Sequence, residues 1–294
     1  MKLDYVLITP AYNEEAFIEK TIRSVVKQTI LPKKWVIVSD GSTDRTDKIV
    51  KSYAEGKDWM EFIRITKHSE RNFAAKVQAF NIGYEKVKSQ KFDVIGSLDA
   101  DISFGEDFFE YLLDKFEKIA ELGVAGTHYI EGTFHSFKDS YINVHHVNGG
   151  CQMFKRQCFD DIGGYMPIKS GGIDWIAVTT ARMKGWKTHS FADRMFIHHR
   201  KIGTADNNEF SARFHYGKKD YFLGSHPLWE ILRSIFQMTK KPYIIGGFFL
   251  FLGYSWSWLT GVEQPISREL IEFYRKEQMQ RLKELLTDRL RLNR

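Results

Sequence analysis

Residues 93–104 read DVIGSLDADISF. The apolar run 93–98 has the composition of a buried strand, and it ends by setting Asp99 and Asp101 one residue apart. A D-x-D triplet arises by chance about once in a chain of this length, so the pair gains meaning only if its surroundings repeat the pattern.

Upstream, they do. The segments YVLITP (5–10), KWVIVSD (34–40) and EFIRIT (61–66) predict strands. Between them lie helical runs: one that Asn13 can cap, with Phe17, Ile18, Thr21, Ile22, Val25 and Val26 on a single face, and one carrying Ile49, Val50 and Tyr53. Helices over 74–87 and 105–122 and a strand over 123–130 continue the series. Strands alternating with helices predict βαβ units, hence an α/β fold with a mostly parallel sheet flanked by helices on both faces. Ligands of such sheets bind outside the carboxyl ends of the strands, where the strand order reverses. The polar segments TPAYNEE, SDGSTD and DAD fall on those ends. No G-x-G-x-x-G follows the first strand and no G-x-x-x-x-G-K-[ST] occurs anywhere, which excludes the common dinucleotide and P-loop fingerprints.

Two carboxylates at a strand end can hold Mg²⁺ or Mn²⁺, hard cations that accept oxygen ligands and keep positions free for phosphate. Such an ion neutralises the charge that develops as a diphosphate departs. Asp40 is placed to accept N–H groups of a base, Tyr12 offers a flat face and Thr9 a hydroxyl. Each also has an ordinary reading. Asp40 before Gly41 and Ser42 suits a turn, Asn13 a helix cap, Lys76 a solvated helix face, and Arg156 an ion pair with Asp160 or Asp161.

Taken together, TPAYNEE (9–15), VSDGSTDRT (38–46), FAAKVQAFNIG (73–83), SLDAD (97–101), NGGCQMFKRQCFDDIGGY (148–165) and GGIDWIAVTTARMKGW (171–186) make the chain resemble a family 2 glycosyltransferase of the GT-A fold. The resemblance implies a metal-dependent transferase that moves a sugar from a nucleoside diphosphate to an acceptor hydroxyl with inversion, using Mn²⁺ or Mg²⁺. A UDP-sugar is the favoured donor and a glycan or lipid-linked molecule the acceptor, as in polysaccharide or glycolipid synthesis. Thr9, Ala11, Tyr12, Glu14, Asp40, Lys76, Asp99, Ala100, Asp101 and Gly150 are the implied donor-binding positions. Asp101 is the implied principal metal ligand, with Asp99 on metal or ribose. His198, or its neighbour His199, resembles the histidine that completes some metal sites, although histidine is equally common as a buried hydrogen-bonding group. Asp174 is the implied catalytic base. It stands second in the family's Glu-Asp pair, whose first position is Ile173 here. A catalytically inactive nucleotide-sugar sensor or scaffold is the alternative.

A hydrophobic fraction of 43% with 27% charged residues is that of a folded protein, which excludes disorder. The net charge of +6 suits phosphorylated substrates, anionic membranes or nucleic acid, but no nucleic-acid motif or clustered aromatic-basic face supports the last. Cys151 and Cys158 lack zinc spacing and read as small buried hydrophobes. With no N-x-[ST] sequon and no leader pattern, the expected setting is cytoplasmic.

The expected division is a catalytic domain over 1–225, its stretch 200–226 polar and loop-like, and a C-terminal helical appendage over 226–294. Residues 242–262 carry no charge across 21 positions, yet include four glycines, two serines and a threonine. Tyr243, Tyr254, Trp256 and Trp258, with Lys240 and Lys241 before them and Arg268, Arg275 and Lys276 in a basic helix beginning at Ser267, predict peripheral attachment at the cytoplasmic membrane face rather than a span. A buried helical hairpin is the alternative.

Overall fold

Strands buried on both faces need apolar side chains in unbroken runs rather than in alternation, and the first, second and fourth predicted strands have them. In the computed structural model, which describes residues 3–66, 73–136, 144–200 and 209–292, β1 (Tyr5–Ala11), β2 (Lys34–Asp40), β3 (Met60–Ile65) and β4 (Val94–Leu98) are parallel, in the order β3-β2-β1-β4. Alternate residues feed two cores. Tyr5, Leu7, Trp35 and Ile37 pack with α1 (Ile18–Val26), α2 (Thr46–Ala54) and α4 (Phe108–Lys118). Val6, Ile8, Val36 and Val38 pack against α3 (Phe73–Val87). Gly83 lets that helix lie on the sheet, because a Cβ there would stand 2.6 Å from Ile8 Cγ2.

Beyond β4 the sheet changes character. After β5 (Ile102–Ser103), β6 (Leu122–Glu131) and β7 (Phe134–His135), β8 (Cys151–Lys155) runs antiparallel beside β4. The order continues β8-β6-β9-β5, with β9 being Lys187–His198 and β7 paired to β6. Helices α5 (Arg156–Asp161) and α6 (Ile173–Met183) complete this unit, Met1–Lys201. Since β2 lies on one side of β1 and β4 on the other, the order reverses at β1, and the ligand crevice of such a sheet belongs at that strand's carboxyl end. This is the GT-A fold expected from the sequence. Both cysteines are buried and unpaired, and burial pushes their thiols up, that of Cys158 to about 12.

The second unit, Ile202–Arg294, contains α7 (Glu209–Phe222), α8 (Pro227–Met238), α9 (Ile245–Leu259) and α10 (Arg268–Leu292). The stretch expected as loop over 200–226 thus holds a helix over its described part, and the expected division after 225 falls between α7 and α8. The polar sequence of α7 hid its packing. Gly217 and Gly253 bring α7 and α9 so close that a Cβ on Gly217 would meet the Leu250 carbonyl oxygen, and one on Gly253 the Phe214 carbonyl. His226 caps α8 by accepting a hydrogen bond from Leu228 N at 3.1 Å, with Pro227 in the first turn. Ser267 Oγ accepts from Leu270 N at 3.2 Å and caps α10. Among the described residues, no helix is long and apolar enough to cross a membrane.

Candidate functional site

The crevice floor is made by two loops that lock onto each other. Asn13 does not cap a helix as expected. It adopts φ 52° and accepts from Thr43 N at 2.8 Å through Oδ1, and α1 begins only at Ile18. Glu14 N donates to Thr46 Oγ1 at 2.7 Å and Asn13 N to Ser42 Oγ at 3.1 Å. These side-chain acceptors satisfy backbone N–H groups that helix or sheet would otherwise take, so the loop after β1 is held open as an irregular wall. Ser39 Oγ donates to Asp47 Oδ1 at 2.6 Å, and Asp47 also pairs with Arg64.

Into this frame the chain delivers charge. Asp99 and Asp101 follow β4, and Lys76 Nζ of α3 lies 2.5 Å from Asp99 Oδ1. His198 ends β9 with Nε2 3.6 Å from Asp101 Oδ1 and Nδ1 4.0 Å from Glu131 Oε2. Arg200 pairs with Glu14 and sets Nε 3.3 Å from Asp101 Oδ2. Burial, and after it the charge of Asp101, pushes the Glu14 carboxyl up to about 7 despite Arg200. Burial likewise raises Asp99 against the pull of Lys76. The Lys76 ammonium is held above its ordinary value: burial works to lower it, and Asp99, Asp174 and Asp101 more than offset that.

Asp99, Asp101 and His198 offer ligand atoms all within 4.8 Å of one another. The two carboxylate oxygens suit Mn²⁺ or Mg²⁺, the imidazole nitrogen favours the transition metal of the two, and the residues present fit such an ion.

Asp174 stands in the first turn of α6, entered through Gly171 and Gly172 at φ 90° and 86°. Gln152 of β8 fixes that entry, donating to the Asp174 carbonyl at 3.3 Å and to Val147 O at 2.8 Å. The Asp174 side chain packs on Gly149, where a Cβ would lie 3.1 Å from Oδ2. Gly150 accepts from Asp99 N at 2.9 Å, and a side chain there would strike the Phe196 ring. Asp174 and the carboxylate pair are thus joined through two glycines.

The structure brings together Glu14, Lys76, Asp99, Asp101, Gly150 and His198. Ala11 and Ala100 are buried beside them at the ends of β1 and β4, and Asp40 is buried at the end of β2. Tyr12 is half-buried. Thr9 lies elsewhere: it is 0% exposed, and its hydroxyl accepts from the Trp35 indole at 3.0 Å, inside the core. Of the two histidines, His198 faces the carboxylates, whereas His199 Nε2 meets Ser103 Oγ at 2.8 Å. Arg156 reaches Asp160 only at 3.9 Å and clamps Gln90 O and Lys88 O at 2.7 Å each. Arg200 was missed. The segment MFIHHR carried it in plain view, but nothing in a strand-end arginine says which acid it will meet.

Residues 6–139 match the family described as Glycosyl transferase family 2. A poly-beta-1,6-N-acetyl-D-glucosamine synthase of Staphylococcus aureus (strain COL) is 30% identical over 112 residues, 38% of this chain and 25% of that protein. The Staphylococcus epidermidis synthase is 24% identical over 199 residues, covering 61% and 44%. The chain therefore spans less than half the length of these curated relatives. Among solved structures, mannosyltransferase PcManGT from Pyrobaculum calidifontis, in complex with GDP-Man and Mn²⁺, matches with a TM-score of 0.58 at 15% identity, over 96% of this chain and 81% of that one. S. aureus TarS 1-349 in complex with UDP-GlcNAc matches with a TM-score of 0.56 at 15% identity, over 92% and 78%. Likeness at that identity speaks for the fold.

Proposed function

We propose that this chain, whose residues 6–139 match the family described as Glycosyl transferase family 2, transfers a sugar from a nucleoside-diphosphate sugar, a UDP-sugar by preference, to an acceptor hydroxyl with inversion. The observation that carries this reading is the grouping of Asp99, Asp101 and His198 at the sheet's reversal point, with Asp174 held across Gly149 from it.

A divalent cation held by Asp101, Asp99 and His198 would supply positive charge to the departing diphosphate. The rest falls to side chains. Asp174 takes the proton of the acceptor hydroxyl as its oxygen closes on the anomeric carbon from the face opposite the leaving group, which inverts the configuration. Lys76, drawn by both Asp99 and Asp174, keeps those two carboxylates apart in charge and can turn toward phosphate. Asp40 and Tyr12 border the base and ribose. Gly149 and Gly150 permit the close approach that side chains would block.

The acceptor is a glycan or a lipid-linked sugar, in keeping with relatives named as polysaccharide synthases. The work is placed at the cytoplasmic face of a membrane. No acidic residue occurs over 231–262, while Lys240 and Lys241 do. Trp258 is 66% and Leu259 73% exposed, joined by exposed Ile235, Ile244, Phe248 and Trp256. Exposed apolar residues with basic neighbours suit an anionic headgroup layer.

Titration calorimetry with UDP, GDP and dTDP, each with Mn²⁺, tests the site. One diphosphate should bind the natural protein, and Asp101→Ala should abolish that binding. Equal affinity in the variant would remove the carboxylate from the proposed role.

A further inference from the structure

Both carboxylates of the D-x-D pair already have an internal cation. Lys76 takes Asp99, and Arg200 takes Asp101 and Glu14 together. Asp101 is divided: Oδ1 turns to His198 and Oδ2 to the guanidinium. Arg200 Nε is buried without a hydrogen-bond partner of good geometry, and its guanidinium carbon sits 5.7 Å from the Phe17 ring centre. An arginine that gives up a hydrogen bond at Nε while facing two acids is held there by charge.

We propose that Arg200 is an internal counter-ion that competes with the divalent cation for Asp101, so that cation and nucleoside diphosphate enter cooperatively. This rests on the reading of Asp99, Asp101 and His198 as the cation site. Asp99, Asp101 and Glu14 against Lys76 and Arg200 leave the pocket with one net negative charge, and a divalent ion alone would carry it one charge past neutral. Arrival of the diphosphate offers the displaced guanidinium a new anionic partner, with the bidentate geometry arginine favours. By linkage, each ligand then strengthens the other by the same factor.

The test measures Mn²⁺ binding alone, by the paramagnetic signal of the free ion, and again with saturating UDP. Arg200→Gln should bind Mn²⁺ alone about tenfold more tightly than the natural protein and lose most of the strengthening by UDP. Arg200→Met, which keeps the stem over Phe17, should behave alike and guards against a poorly folded Gln variant. Arg200→Lys, retaining charge, should stay near the natural value. A merely structural arginine would not improve affinity on removal. If both uncharged variants bind Mn²⁺ no better than the natural protein while Asp101→Ala abolishes binding, the competition is refuted and the cation site stands. If no protein binds Mn²⁺, with or without UDP, the cation site fails and the competition with it.

Discussion

The two units solve burial in opposite ways. In the sheet unit, Val6, Leu7, Ile8 and Ile37 are sealed inside and the unusual polar groups gather at the strand ends. In the helical unit, charge lies inside and bulk hydrophobes lie outside. Glu230 is 0% exposed, 3.7 Å from Arg233, which also pairs with Asp220. Many aromatic and aliphatic residues of α8 and α9, among them Ile235, Phe248, Trp256 and Trp258, stand in solvent, although Leu250 and Tyr254 are buried. The first unit closes on itself, so its site must be an exception at the edge. The second leaves its apolar surface unspent, and exposed patches of that kind mark contact with something else.

The sharpest way to break the contrast is to disarm the polar edge of the first unit. Asp174→Asn should lower turnover by roughly 10² to 10⁴ while leaving calorimetric binding of the donor in place. Near-normal turnover would move the base elsewhere, and a retained anomeric configuration in the product, read by proton NMR, would overturn the single-displacement mechanism.

Next comes the outside of the second unit. Trp256→Ser and Trp258→Ser should each weaken binding to anionic vesicles roughly tenfold, since an indole loses much of its burial against lipid. Flotation at low salt reads the effect. A natural protein that stays at the bottom of the gradient would leave this face without a lipid partner.

The smallest effect lies inside the second unit. Burial, and then the neighbouring Asp220 charge, pushes the Glu230 carboxyl from about 4.5 up to about 8, only partly opposed by Arg233. Between those values the folded chain keeps a proton that the unfolded chain has lost, so stability falls as pH rises and stays low above about 8. Glu230→Gln removes that loss, and its melting temperature should exceed the natural one by roughly 2–4 °C at pH 9, for about 1 kcal/mol, and match it at pH 4. An equal gain at both pH values would mean that the buried charge is not its source.

Legibility followed the same divide. The alternation of β1 through β4 with their helices was readable, since β1, β2 and β4 were apolar runs and apolar-faced helical segments lay between the strands. So was the placement of Asp99 and Asp101 after β4, because a strand end fixes where the next side chains emerge; that His198 rather than His199 turns to them was left open until the structure separated the two. Asn13 misled because a cap and a loop clamp share one chemistry, an amide oxygen accepting a backbone N–H; what distinguishes them is Thr43, thirty positions away. The hydroxyl of Thr9 looked available until Trp35 was seen to claim it.

What the sequence determined by itself was local and periodic: which segments are strands or helices, which face is apolar, and that acids cluster after β1, β2 and β4. The tertiary structure decided the pairings that span the chain. Arg200 meets Glu14 across 186 positions, Gln152 steadies Asp174, and Gly217 and Gly253 turn a polar stretch into a packed helix. Periodicity reports an average environment, apolar inside and polar outside. An ion pair or a glycine contact depends instead on which two backbones approach within a few ångströms, and that distance exists only once the chain has folded.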